Sequence, residues 1–391
     1  MEAYIVAGYR TAVGKANRGG FKNTRPDDLG AAVVKHLVKS LPALDPTRID
    51  DLICGCAVPE AEQGMQIGRW ISLLSLPMNV SGVTVNRYCG SGLETIAMGV
   101  AKIKAGMADC IVAGGIESMS MVPVMGHKTA LNYKVASEHP EWFLGMGLTA
   151  EEVADDYKVS REDMDAYSFQ SHQRAIAAIE AGKFKEQIVP IEVEEVFVSP
   201  AGKRESKKYM VDTDEGPRRD TNLAALSKLR PVFRADGRVT AGNSSQTSDG
   251  ASFVMIMSER MVKELGLEPQ ARLAGYATEG VDPRIMGMGP IKAVPKVLKQ
   301  TGLKLNDIDQ IELNEAFAAQ TLAVMRELNI DPAITNVNGG AIALGHPLGC
   351  SGSKLTVQLI NEMRLRQQKY GMVTACVGGG QGVAGVFEFL N

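Results

Sequence analysis

Cys89 lies in the run Asn86-Arg87-Tyr88-Cys89-Gly90-Ser91-Gly92, after the apolar Val83-Thr84-Val85 and before an amphipathic stretch. That places a thiol at a strand-to-helix junction, where free N–H groups and a positive partial charge gather. Such a position lowers a thiol's pKa and favours the nucleophilic thiolate. The competing reading is a buried structural cysteine beside a turn. His346, in Gly345-His346-Pro347-Leu348-Gly349, is one of five histidines and the one in a glycine-dense, charge-poor setting. A neutral imidazole there takes a thiol proton, as cysteine nucleophiles require; otherwise it caps or packs a helix. His36, His127, His139 and His172 read as surface residues. Cys376 ends an apolar run and enters Val377-Gly378-Gly379-Gly380, whose accessible N–H groups suit an oxyanion hole. Two thiols serving one base suggest a nucleophile and a separate acid/base. A redox dithiol would favour a C-x-x-C pair, which the sequence lacks. Asn314, in Asn314-Glu315-Ala316-Phe317, either fixes a water or orients the histidine, or else is a plain helix N-cap.

The elements that must position these groups alternate along the chain. Strands are expected at 4–8, 52–56, 83–86 and 110–113, and a helix at 90–104, where Leu93, Ile96, Ala97 and Val100 form one apolar stripe. Strands interleaved with helices of this length indicate α/β architecture with largely parallel sheets. The same grammar recurs in the C-terminal third. Leu44-Asp45-Pro46-Thr47-Arg48-Ile49-Asp50 resembles Leu303-Lys304-Leu305-Asn306-Asp307-Ile308-Asp309, and Cys89-Gly90-Ser91-Gly92 resembles Gly349-Cys350-Ser351-Gly352. Each half then runs to a strand that ends in glycines. Ordered correspondences at a slowly drifting offset are the mark of a duplication. The expected organisation is an N-terminal half at 1–119 plus 250–269, an inserted, partly helical loop domain at 120–249, and a C-terminal half at 270–391. Within the insertion, Ser160-Arg161-Glu162-Asp163 predicts the start of a long helix ending near Gly182. If the halves pack face to face, Cys89 and His346 meet at matching ends of related elements.

Composition removes other classes. The 391 residues carry 42 basic and 45 acidic side chains, a net charge of −3 that offers no nucleic-acid footprint. No apolar run is long enough to span a membrane, neither a signal peptide opens the chain nor a targeting tripeptide closes it at Asn391, and a reducing, cytoplasmic setting is expected. Six cysteines without paired spacing form neither a disulfide framework nor a zinc site, so no metal is expected. No G-x-G-x-x-G follows the first strand and no Walker loop is present. Glycine, at 41 residues, exceeds the usual share of roughly 7%, and the excess gathers around Cys89, His346 and Cys376.

Taken together, Asn86–Gly92, Asn314-Glu315-Ala316-Phe317, Gly345-His346-Pro347-Leu348-Gly349 and Cys376-Val377-Gly378-Gly379-Gly380 make the chain resemble the thiolase family over essentially its full length. Met146-Gly147-Leu148-Thr149-Ala150-Glu151 and Asp282-Pro283-Arg284-Ile285-Met286-Gly287 look more like degradative 3-ketoacyl-CoA thiolases than biosynthetic acetoacetyl-CoA enzymes. Gly145 stands where biosynthetic members carry a His. The resemblance implies two βαβαβαββ halves in a five-layer α-β-α-β-α arrangement. It also implies thiolytic cleavage of a 3-ketoacyl-CoA by CoA, in fatty-acid β-oxidation, with an acetoacetyl-CoA enzyme as the nearest rival. A decarboxylating condensing enzyme and a non-catalytic lipid-binding protein are more distant ones. Carried over residue by residue, Cys89 is the acylated nucleophile and His346 its base. Asn314 holds a water at one oxyanion, Cys376 is the second acid/base, and the N–H groups of Cys89 and Gly378 form the second oxyanion hole. Arg218 looks like the arginine that contacts the nucleotide end of CoA, and Ser245 like the serine on its pantetheine arm. CoA is a substrate here, and no tightly bound cofactor is implied. A homodimer or homotetramer, or a complex with a hydratase–dehydrogenase subunit, fits the resemblance.

Overall fold

A computed structural model describes residues 2–390; Met1 and Asn391, the outer ends of the two expected halves, lie outside the described residues. The core strands are β1 (Ala3–Thr11), β2 (Asp51–Gly55), β3 (Ser81–Val85), β4 (Cys110–Ser118), β5 (Ser248–Ser258), β6 (Ala271–Gly280), β7 (Gln310–Leu313), β8 (Tyr370–Val377) and β9 (Gln381–Phe389). Their order is β3-β2-β4-β5-β1 in the first half and β6-β9-β8-β7 in the second. Thr335 bridges Ile311 in parallel where the second half lacks a counterpart of β3. Parallel pairs occupy the outer part of each half, β3-β2-β4 and β7-β8, and antiparallel pairs the inner part. Strand pairing between the halves is limited to one residue pair, Ile5 opposite Ala271.

Helices fill three layers around these strands. Leu29, Val33 and Leu37 of α1 (Pro26–Lys39), with Ile67 and Ile71 of α2 (Ile67–Ser75), cover the outer face of the first half. Ala293 and Val297 of α6 (Pro290–Thr301), with Ala323 and Val324 of α7 (Ala318–Leu328), cover the outer face of the second. Between the two sheets lie α3 (Ser91–Lys104) and α8 (Leu348–Arg366). One core joins Leu93, Ile96 and Val100 of α3 and Leu355 and Leu359 of α8 to Ile53, Ile111 and Val254 on one side and Val373, Val383 and Phe387 on the other. The five-layer expectation therefore holds. Helix α8 is buried along nearly its whole length, because both of its faces meet a sheet.

Between β4 and β5 run α4 (Met146–Asp156), α5 (Arg161–Glu180) and a hairpin of Ile191–Val198 with Arg204–Val211. Ser160 caps α5, its hydroxyl accepting from the Asp163 N–H at 3.1 Å. The hairpin was hidden in the sequence because most of its side chains are exposed and seven of the sixteen are charged; Lys208 pairs with Glu192 across it at 3.0 Å.

Candidate functional site

Cys89 sits in the single 3₁₀ turn Tyr88–Gly90 that feeds α3. Tyr88, one residue earlier, holds a left-handed φ of 42°, a conformation a tyrosine adopts only when its surroundings impose it. The thiol is 2% exposed. Burial pushes its pKa up to about 12, against the N–H groups of Gly378 and of Cys89 itself, which favour the thiolate. The expectation of a depressed thiol is therefore corrected. The helix start is present, but withdrawal from water outweighs it.

His346 follows Gly345, whose φ of 102° and contact with the Ser248 hydroxyl leave no place for a side chain. The backbone N–H of His346 donates to Gln246 O at 3.1 Å and to Ser248 Oγ at 3.2 Å. On the ring, Nδ1 lies 2.6 Å from Ser351 Oγ and Nε2 lies 3.3 Å from Asn314 Nδ2. The imidazole is 4% exposed. Burial, reinforced by the Lys354 charge, lowers its pKa to about 3, so it is neutral. Asn314 directly follows β7, and α7 begins later, with Phe317 as its N-cap. The structure thus decides between the open readings of Asn314: it faces the imidazole rather than capping a helix. Its Oδ1 is buried without a protein partner.

Cys376, near the end of β8, is fully buried. Burial pushes its thiol far up, and a charge on Cys89 would push it further, which puts the two sulfurs in each other's field. Beyond it, Gly378 and Gly379 turn the chain towards β9 and line a cavity of about 590 Å³ together with Cys89, Asn86 and Trp142. A second cavity, of about 500 Å³, is lined by Cys89, His346, Ser245, Met286, Phe317 and Gln246. Both cavities reach Cys89, Gly145 and Met146, and a Cβ at Gly145 would meet open space. Arg218 is exposed and stands outside this pair, at a small cleft whose wall shares Gln246 with the second cavity.

The structure thus brings Cys89 to both cavities, with Gly378 on the first and His346 and Ser245 on the second. Asn314 meets this site through the His346 ring, Cys376 lies buried behind the wall, and Arg218 stands at a neighbouring cleft. One surface assignment fails. His172 is 3% exposed, and its Nδ1 accepts from the Arg218 N–H at 3.2 Å. Burial, then the Arg218 and Lys15 charges, lower it to about 4. It lies on the side of α5 that the 218–246 segments cover, which helical spacing alone does not reveal.

Three positioning residues escaped sequence reasoning. Ser351 holds the imidazole. Glu117 accepts from Ala57 N–H and Gly349 N–H, each at 2.8 Å, so one carboxylate ties β4 to the start of α8. Glu315 accepts from Tyr167 Oη at 2.9 Å, Ser171 Oγ at 2.7 Å and Asn336 Nδ2 at 3.0 Å, tying α5 to the loop before His346. Glu315 and Ser351 stood inside segments already quoted, Ser351 only as part of the repeat; Glu117 did not. Among the described residues no cluster of His, Cys, Asp and Glu could hold a metal ion, and no helix is long and apolar enough to cross a membrane.

Known proteins resemble this chain along nearly its whole length. Residues 3–260 match the family model of the thiolase N-terminal domain, and residues 267–389 that of the thiolase C-terminal domain. The chain is 53% identical over 388 residues to a 3-ketoacyl-CoA thiolase of Bacillus subtilis, covering 99% of both. It is 45% identical over 397 residues to an acetyl-CoA acetyltransferase of Pseudomonas aeruginosa, covering 98% of both. The crystal structure of the Bacillus anthracis acetyl-CoA acetyltransferase is similar with a TM-score of 0.89 at 38% identity, over 100% of this chain and 99% of that one.

Proposed function

The chain belongs to the thiolase family, and from that premise we propose that it is a 3-ketoacyl-CoA thiolase acting in fatty-acid β-oxidation. The observation that carries the reading is the placement of Cys89 and His346 on one cavity wall, with a second thiol, Cys376, in the field of the first.

In this reading His346 Nε2 takes the Cys89 proton as the sulfur attacks the ketone carbon of the substrate. Both groups are neutral at rest, so charge appears only as the reaction begins. The N–H groups of Cys89 and Gly378 hold one oxyanion, and His346 with a water on Asn314 holds the other. The unpartnered Asn314 Oδ1 supports such a water. The bond between the α and β carbons breaks, the acyl group stays on Cys89, and the acetyl-CoA carbanion takes its proton from Cys376. The Cys376 thiolate then removes the thiol proton of a second CoA. That sulfur attacks the acyl carbonyl, the bond to Cys89 breaks to release the shortened acyl-CoA, and His346 returns the first proton to the Cys89 thiolate. CoA is a substrate on this route; its arm would pass Ser245 and Gln246 towards Arg218, a path favoured by the wall the two spaces share.

The open space at Gly145 and the apolar lining from Met286 and Phe317 favour an acyl group longer than four carbons. The mirrored strand orders favour a division into halves at 1–119 plus 250–269 and 270–391, with a loop domain at 120–249. The open outer edge of β3, beside the exposed Met65, Trp70 and Met78, favours a homo-oligomer. Six buried free cysteines suit the reducing cytoplasm. The names of the Pseudomonas and Bacillus anthracis relatives keep one rival, an enzyme confined to acetoacetyl-CoA.

Intact mass spectrometry after mixing with acetyl-CoA, followed by thiolysis rates over a 3-ketoacyl-CoA chain-length series, tests the reading. One acetyl group is expected on the wild type and none on Cys89→Ala, with turnover extending to longer chains. Absence of the adduct would reject acyl-cysteine chemistry, and turnover of acetoacetyl-CoA alone would select the rival.

A further inference from the structure

The N-terminal segments of α3 and α8 are related by an offset of 260 residues, which pairs Ser91 with Ser351, Arg87 with Pro347 and Asn86 with His346. Both serines stand in the first turns of their helices, and both donate their single hydroxyl proton to a carbonyl just upstream. Ser91 Oγ donates to Tyr88 O at 2.7 Å, and Ser351 Oγ donates to Pro347 O at 2.9 Å. A hydroxyl that has given its proton away can only accept from its next neighbour.

What it accepts differs between the halves. Ser91 Oγ accepts the backbone N–H of Arg87 at 2.8 Å. That donor cannot be replaced by an acceptor, so the direction of this bond is fixed by chemistry. In the second half the residue paired with Arg87 is Pro347, which has no N–H. The accepting side of Ser351 is thereby left open, and the His346 ring occupies it with Nδ1 at 2.6 Å. An oxygen that accepts at Nδ1 requires the proton to be on Nδ1. A neutral imidazole with Nδ1–H carries its lone pair on Nε2, the atom that faces the Asn314 amide donor at 3.3 Å.

We propose that Ser351 is a positioning residue that fixes His346 in the Nδ1–H tautomer, and that Pro347 makes this possible by withholding the backbone donor that occupies the equivalent serine. Nε2 is then the only basic atom of the ring. This rests on the proposed reaction and deepens it: a base is present only if the lone pair is on the side of the substrate. When the ring takes the Cys89 proton it becomes a doubly protonated cation, and Ser351 Oγ still accepts from Nδ1, more strongly because that donor is now charged. The groups that bear on the ring's charge are Lys354, on the same helix, and the Cys89 thiol, on the shared cavity wall.

Nitrogen-15 NMR of histidine-labelled protein reads the tautomer directly, with the His346 signals assigned from their loss in His346→Ala. The wild type is expected to show a protonated Nδ1 and an unprotonated Nε2; the opposite pattern overturns the proposal without any further variant. Ser351→Ala is expected to lose that preference and to lower kcat by about 100-fold, with KM little changed. Ser351→Thr, which keeps the hydroxyl, is expected to restore both the tautomer and most of kcat. An unchanged tautomer in Ser351→Ala, or a Ser351→Thr no better than Ser351→Ala, overturns it. Acetylation of wild-type Cys89 is measured alongside. Its absence strikes the proposed reaction, whereas its presence with an unaltered tautomer in Ser351→Ala strikes only the role of Ser351.

Discussion

At Cys89 and His346 one physical cost acts in two directions: taking charge out of water raises the thiol, to about 12, and lowers the imidazole, to about 3. An ion pair between them is therefore unfavourable in these surroundings, and in the proposed reaction it forms only as the sulfur attacks. A pH dependence follows. A thiol with a raised pKa holds less thiolate at every pH below it, and that fraction grows about tenfold per pH unit until the pKa is approached. Alkylation of Cys89 by iodoacetamide is expected to keep accelerating from pH 7 to pH 10 without levelling off; a plateau near pH 8 or below would contradict the dominance of burial. At this scale the sequence was informative where glycines isolate a reactive side chain, as at Cys89 and His346. It was uninformative for burial itself. A helix N-terminus is visible in a string of letters, whereas the strength of desolvation depends on what folds over the site. For the same reason His172 read as a surface residue, and Ser351 drew no attention until its oxygen was placed against a ring nitrogen.

Helices α3 and α8 meet where each carries a glycine. A Cβ on Gly92 would stand 2.6 Å from Ser353 N, and one on Gly352 would press on the backbone of Leu93. The crossing is a backbone-to-backbone contact, and it brings the starts of both helices, hence Cys89 and His346, to the same side of the central layer. Gly352→Ala is expected to push the helices apart, to destabilise the fold by about 2 kcal/mol and to slow Cys89 acetylation. Thermal unfolding and the acetyl-CoA mass-shift assay check the two effects. A variant of normal stability and normal acetylation would remove the crossing from the list of determinants. Element types were largely legible here. The apolar stripe of α3 and the cap at Ser160 predicted what formed. The 191–211 hairpin was not, because alternation of buried and exposed residues is submerged in its Glu and Lys content.

Across the whole molecule, the insertion is pinned to the first strand by a buried ion pair. Arg10 donates to both Asp214 oxygens, at 2.7 and 2.9 Å, and Asp214 also accepts the Val13 N–H at 2.8 Å. Burial alone would raise the Asp214 carboxyl; the Arg10 guanidinium outweighs it and holds the pKa below the ordinary range. A depressed carboxylate contributes stability above its unfolded pKa and loses it as pH falls through its folded one. Asp214→Ala leaves Arg10 buried and unpaired, and is expected to cost about 3–5 kcal/mol at pH 7. Urea unfolding checks this, and the gap from wild type should narrow in acid. The duplication could be seen in the sequence because its repeats keep their order. The manner in which the copies join could not, since no local pattern marks the one paired residue between β1 and β6 or the packing of α3 on α8.

That sparse contact, together with the shared middle helices, describes two copies that associate as subunits of a dimer do: one helix contributed by each, strand edge to strand edge. A true homodimer of such copies would repeat every side chain in both halves of its central layer. Joined in one chain, the copies are free to differ. Asn86 and Arg87 occupy on one side the positions that His346 and Pro347 occupy on the other, so the proposed nucleophile and its proposed base stand in different halves. The division of labour proposed for acid, base and nucleophile is open to such a joined chain, because its two symmetric places can carry unlike residues where those of a homodimer cannot.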